Sequence, residues 1–194
     1  MIDTAVHALR AGEPVVLPTD TVYGLCSRLD EEAVQRMYGL KGRLPDQPTA
    51  ILFANVKDAL TAAPGLSRNV ARALLPGPFT LIVPNPERRF RFVTGSRPET
   101  LGLRVPMLTG AAALVMRKAG PVAATSANLA GGRAPRRIGD VPVEIQAGCG
   151  AVLDAGELPG LASTVLDLTG PEPRVLREGA VAAHTALGLV RDAQ

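Results

Sequence analysis

Six short segments of the chain carry hydroxyls, cations and small residues in patterns suited to chemistry on anions. Pro18-Thr19-Asp20-Thr21-Val22-Tyr23-Gly24-Leu25 places two threonines and an aspartate in a Gly-terminated turn. Alone, it reads as an Asx or ST turn or as donors and acceptors for a ligand. Lys41-Gly42-Arg43 sets two cations around a glycine at the end of a helical pattern. They either complement the helix dipole or clamp a polyphosphate, which needs a point charge and a fork of donors close together. In Thr100-Leu101-Gly102-Leu103-Arg104-Val105-Pro106, Arg104 lies on the strand face opposite Leu103 and Val105. A guanidinium there requires an acidic partner or an anionic ligand. Ala124-Thr125-Ser126-Ala127-Asn128 follows a strand of small residues that lets a ligand approach the backbone. Ser163-Thr164-Val165-Leu166-Asp167 and Leu176-Arg177-Glu178-Gly179 complete the set.

Other chemistries lack their residues. There is no GxxxxGK[ST], no GxGxxG after a strand, no HExxH and no GxSxG. The only histidines, His7 and His184, fall on helical patterns away from these loops, which argues against a Ser-His-Asp or Cys-His mechanism. Cys26 and Cys149 form no CxxC, so neither a zinc site nor a disulfide framework is indicated. Chemistry here must run on Lys, Arg, hydroxyls and backbone donors.

The elements that must position these groups follow from periodicity. A helix over Asp3–Ala11 stops at Gly12, and Pro14–Pro18 reads as a buried strand. Asp30 caps a helix whose inner face is Val34, Met37 and Tyr38. Strands are expected at Thr49–Phe53, Phe79–Val83, Leu101–Val105, Pro121–Thr125 and Ala151–Asp154. Helices are expected to open at Asn55 and Ser67, over Ala111–Ala119, from Asp140, and over Ala180–Arg191. Ser163–Leu168 and Arg174–Leu176 pair as a hairpin through Thr169-Gly170-Pro171. Strands alternating with helices, then a late hairpin, predict an α/β sheet of mixed direction.

Composition agrees with a packed chain. The 194 residues are 46% hydrophobic with a net charge of +3, which excludes overall disorder, and the apolar stretches are too short or too broken to span a membrane. The N-terminus lacks a signal-peptide pattern, and the chain reads as cytoplasmic. Of 21 basic residues 18 are Arg, and aromatics make up only 3%. Gly and Pro number 20 and 17, a wealth of sharp corners where sites are commonly built.

Taken together, the run PTDTVYGL, KGR 20 residues after Thr21, then PGPFT, LGLRVP, TSAN, STVLD and LREG resembles the threonylcarbamoyl-AMP synthase family, the YrdC-like domain. The resemblance covers roughly Ala11 to Val181. It implies one YrdC-like domain over 1–194, a twisted mixed β-sheet flanked by helices with a concave basic ligand cavity. It also implies a nucleotidyltransferase that makes threonylcarbamoyl-adenylate and pyrophosphate from L-threonine, bicarbonate and ATP, for threonylcarbamoyladenosine (t6A) modification of tRNA. By the same resemblance, Thr21, Arg104, Ala124 and Ser163 bind threonine. Lys41 and Arg43 are the catalytic cations and bind ATP with Gln47, Thr100, Ser126, Asn128, Ala134 and Arg177. Magnesium is expected with ATP, its protein ligands unassigned, and transient contact with tRNA or the threonylcarbamoyl-transferring machinery is implied.

The chain departs from the pattern in places. Many members read KGRPxxNPL followed by a His, whereas Gln47 stands here for the Asn and Leu52 for the His. Gln keeps an amide donor; Leu52 keeps none. Ala134 replaces a small polar residue and offers at most its backbone. Two other readings compete. One is an RNA-binding, translation-associated module using the same basic cavity, with Arg88, Arg89, Arg91 and Arg97 and then Arg133, Arg136 and Arg137 as basic runs; few aromatics speak against base stacking. The other is a carbamoyl-transfer domain like that of hydrogenase maturation proteins, whose accompanying zinc motifs are missing here.

Overall fold

The computed structural model describes residues 1–194. In chain order the elements are α1 (Ile2–Arg10), β1 (Val15–Pro18), β2 (Tyr23–Arg28), α2 (Glu31–Lys41), β3 (Ala50–Leu52), α3 (Val56–Ala62) and α4 (Arg68–Leu74). There follow β4 (Phe79–Pro84), α5 (Arg91–Thr94), β5 (Thr100–Arg104), α6 (Gly110–Ala119) and β6 (Val122–Ser126). After a 3₁₀ turn at Ile138–Asp140 come α7 (Val143–Ala147), β7 (Ala151–Val152), β8 (Thr164–Asp167), β9 (Arg174–Arg177) and α8 (Ala183–Asp192). Side chains close the helix starts as the sequence predicts. Asp30 accepts the Ala33 N–H at 3.1 Å, Asn55 that of Asp58 at 2.9 Å, and Ser67 that of Val70 at 3.4 Å. Helix α2 ends on Gly42, whose left-handed φ of 67° turns the chain directly after Lys41.

The nine strands form one sheet in the order β7-β1-β2-β6-β3-β5-β4-β8-β9. The pairs β1–β7, β3–β5 and β4–β8 are parallel and the others antiparallel, the mixed direction expected from the sequence. Period-2 alternation sorts the side chains between two faces. Ile51, Leu81, Leu103 and Leu166 point into the larger core, covered by residues of α2, α3, α4, α7 and α8. On the other face Val15, Leu17, Cys26, Leu52 and Val122 meet Ala5 and Leu9 of α1 and Val115 and Met116 of α6. The PVVLP strand is buried on both sides because its alternate residues enter different cores. Helices α1 and α6 cover only part of this second face.

Strand β2 corrects the sequence reading, which left Tyr23–Leu25 in a loop. Gly24, Cys26 and Ser27 give it no β-rich apolar run, yet β1 pairs along one edge and β6 along the other. Tertiary pairing overrides weak local propensity here. Strand β7 is shorter than expected, since only Val15 and Val16 pair with it. The Pro-bounded arginine stretch contains the short helix α5, and α8 begins at Ala183 rather than Ala180. The late hairpin forms with an irregularity between Val165 and Leu166.

Candidate active site

Where α1 and α6 leave the second face bare, alternate strand residues floor a cavity of about 520 Å³. Gly24, Ala50, Gly102 and Ala124 keep the floor low, and the register sets Leu52 beside Arg104, Thr80 beside Val165, and Val165 beside Arg177. Arg43, Arg97, Arg104 and Arg177 reach its wall, and no Asp or Glu lines it. Such a surface favours a polyanion or a carboxylate.

Arg104 is the most deeply set of these cations, 8% exposed. Its Nη2 donates to Asp20 Oδ1 and, at 2.8 Å, to Thr21 Oγ1. Asp20 is held in turn by the Met107 N–H, 3.0 Å from Oδ2. Thr19 donates its single hydroxyl proton to Val22 O at 2.7 Å, so in the 3.0 Å contact between the two threonine hydroxyls Thr21 is the donor. A directed chain thus runs from Arg104 through Thr21 and Thr19 to the Val22 carbonyl. Burial works against the Arg104 charge, lowering its pKa from the usual value, and Asp20 offsets part of that. Of the two roles open to Arg104, the acidic partner is present, yet its Nε remains buried without a hydrogen-bond partner. Thr21 itself is fully buried behind the guanidinium and is not on the wall; Thr19 is.

Ser163 and Arg177 meet at the far side. Arg177 donates to Ser163 O from Nη2 at 2.9 Å and from Nε at 3.2 Å, and the Ser163 hydroxyl lies 2.7 Å from that of Thr80. Burial and the Arg104 charge both press the Arg177 guanidinium toward neutrality. The LREG turn closes tightly here: a Cβ on Gly179 would run into Ala162 O, and Thr164 Oγ1 accepts from both Gly179 N–H (3.1 Å) and Val181 N–H (3.0 Å).

Lys41 does not point into the cavity. Its ammonium, 3% exposed as a residue, donates to Ser126 O (2.7 Å), Asn128 O (2.6 Å) and Asn128 Oδ1 (3.2 Å). Burial and the neighbouring Arg43 pull its pKa down to about 8. Asn128 completes the knot by donating to Leu129 O and Gly132 O, both at 2.7 Å. Both side chains therefore shape the turn that presents Ser126, rather than lining the cavity. Gln47 is exposed and also lies off the wall. The cavity brings together Arg43, Thr100, Arg104, Ala124, Ser126, Ala134, Ser163 and Arg177 of the sequence-predicted residues. Leu52, the departure from the His, lines it as well. Sequence reasoning missed Thr49, Thr80, Thr94 and Arg97 as wall residues; alternation along the Phe79–Val83 strand could have found Thr80, Thr49 opens an expected strand whose face was not assigned, and Thr94 and Arg97 sit on a segment with no periodic signal.

The family model described as telomere recombination, Sua5/YciO/YrdC, matches residues 7–179. A Pyrococcus abyssi protein named threonylcarbamoyl-AMP synthase is 36% identical over 183 residues, 92% of this chain and 54% of that protein, so the chain spans about half the relative's length. A Mycobacterium tuberculosis relative is 36% identical over 188 residues, 94% of this chain and 86% of that protein. Among solved structures, Sua5 from Pyrococcus abyssi complexed with L-threonine superposes with a TM-score of 0.89 at 32% identity, covering 100% of this chain and 58% of that one. The chain belongs to the Sua5/YciO/YrdC family.

Proposed function

We propose that this chain is an L-threonylcarbamoyladenylate synthase, a nucleotidyltransferase that makes threonylcarbamoyl-AMP and pyrophosphate from L-threonine, bicarbonate and magnesium-bound ATP. The observation that carries the reading is Arg104, a buried guanidinium braced by Asp20 and Thr21 on the floor of an arginine-lined cavity, with its Nε unpartnered. A guanidinium with an unpartnered donor suits the carboxylate of an amino acid, and the surrounding arginines suit a triphosphate. A relative of the same fold is solved with L-threonine, which supports the amino-acid half of the assignment.

In this reading Arg104 holds the threonine carboxylate, with Ser163, Thr19 and the backbone of Ala124 around it, and Thr21 braces Arg104 from behind. Arg43, Thr100, Ser126, Ala134 and Arg177 face the nucleotide. The threonine amine takes up bicarbonate with loss of water to give a carbamate, whose oxygen attacks the α-phosphorus of ATP as pyrophosphate leaves. The residues act by holding the carbamate and α-phosphate in line and by neutralising charge, which is how phosphoryl chemistry is chiefly catalysed. That demand is met without His or Cys. Magnesium arrives as part of the nucleotide substrate; no cluster of three His, Cys, Asp or Glu side chains stands ready to hold it. The product is a substrate for a threonylcarbamoyl transferase acting on tRNA.

The test is direct. Purified protein incubated with ATP, magnesium, bicarbonate and threonine should release pyrophosphate and form an adenylate of the corresponding mass, only when threonine is present. Pyrophosphate release indifferent to threonine, or none, overturns the reading. Tight, salt-resistant tRNA binding without adenylate would favour the RNA-binding module instead.

A further inference from the structure

The nucleotide wall contains a donor that none of the residues assigned above accounts for. Thr49 lines the cavity, is 4% exposed, and its hydroxyl has no hydrogen-bond partner. A buried hydroxyl left unpaired is destabilising, so it marks either a defect or a ligand contact. Its neighbours favour the ligand. Arg43 Nη2 donates to Pro48 O at 2.6 Å, the carbonyl of the peptide that leads into Thr49, and Arg43 Nε is likewise buried and unpartnered. The Thr49 backbone is fixed independently, its N–H donating to Val93 O at 2.8 Å. Two buried, unpartnered donors, one cationic, therefore flank a single peptide on the same wall.

Two other threonine hydroxyls on this wall have their protons engaged. Thr94 donates to Arg91 O at 3.0 Å and Thr100 to Arg97 O at 3.1 Å, leaving both to face the cavity as acceptors. A phosphate oxygen needs donors, and Thr49 and Arg43 Nε supply them. Gln47, which replaces the Asn of the family pattern, is exposed and off the wall. Thr49, two residues on, stands where that pattern has Leu, so this donor is the chain's own.

We propose that Thr49 Oγ1 and Arg43 Nε form a two-donor notch for a phosphate oxygen of the nucleotide, with Thr49 a further ATP-binding residue in this chain. The inference rests on the synthase reading and names a contact within it. The experiment measures binding of ATP, of inorganic tripolyphosphate and of adenosine to wild type, Thr49→Val and Thr49→Ser, together with the melting midpoint of each free protein. Valine keeps the shape and removes the donor. Thr49→Val should bind ATP and tripolyphosphate about tenfold more weakly, with adenosine affinity unchanged, and Thr49→Ser should restore binding. Its free protein should melt no lower than wild type, because the lost hydroxyl had no partner in the fold. Equal tripolyphosphate binding by wild type and Thr49→Val overturns the notch and leaves the synthase reading standing. A lowered melting midpoint or failure to fold for Thr49→Val makes the hydroxyl structural and also overturns the notch. Wild-type protein that binds neither ATP nor tripolyphosphate overturns both.

Discussion

At the scale of the residue, the Asp20 ion pair of Arg104 can be separated by mutation from the threonine contact proposed for it. Its ion pair with Asp20 is buried, the two side chains being 9% and 11% exposed, so removing one partner strands the other. Breaking such a pair costs about 3–5 kcal/mol, whereas replacing both partners can be nearly neutral. Arg104→Gln should therefore lower stability and abolish measurable threonine affinity. The double variant Asp20→Asn/Arg104→Gln should recover most of the stability and none of the affinity. Chemical denaturation and threonine calorimetry on the same preparations check the two halves. Threonine affinity retained in the double variant would remove the carboxylate contact from Arg104.

At the scale of the element, Lys41 joins two segments far apart in sequence. The last turn of α2 delivers it, and its three acceptors lie on Ser126, the last residue of β6, and on Asn128 in the turn just beyond. The KGR segment was legible as a pair of cations near a Gly-terminated helix, but nothing local in the sequence says that Asn128 and Ser126 would capture the lysine. The same holds for Asp20: the Arg104 strand announced that a partner was needed, and only the β1–β2 turn's place in the sheet identifies it. What periodicity could show, the capped helices and the buried strands, it showed; β2, whose pairing is entirely non-local, it could not. The clamp has a pH signature. Lys41 titrates near 8 in the fold against about 10.5 in an unfolded chain, so between those values the unfolded state binds more protons. The lysine's contribution to stability therefore rises as pH climbs from 8 to 10.5 and is flat below. Comparing wild type with Lys41→Met isolates that slope: the stability gap in favour of wild type should widen over this window. At neutral pH, Lys41→Met should already be destabilised by about 1–3 kcal/mol because buried carbonyl oxygens lose their donor. A gap that stays constant with pH would mean the lysine is not depressed.

At the scale of the molecule, the cavity is shared by strands drawn from nearly the whole sheet. Gly24 of β2, Ala50 of β3, Thr80 of β4, Arg104 of β5, Ala124 of β6, Val165 of β8 and Arg177 of β9 all contribute. A ligand seated there contacts residues from both ends of the chain, so its binding energy opposes unfolding of the sheet as one unit. At one hundred times its dissociation constant, a ligand that binds only the folded state stabilises it by about 2.7 kcal/mol. For a chain of this size that corresponds to roughly 5–10 °C in melting midpoint. Calorimetric scans with saturating magnesium-ATP should show a single transition displaced upward by about that amount, shrinking as salt screens the four wall arginines. Hydrogen exchange should slow in both β2 and β9 on addition of the nucleotide, although the two strands lie six places apart in the sheet order. Protection confined to one of them, or a transition that splits so that only one part moves, would show that the floor does not act as a shared surface.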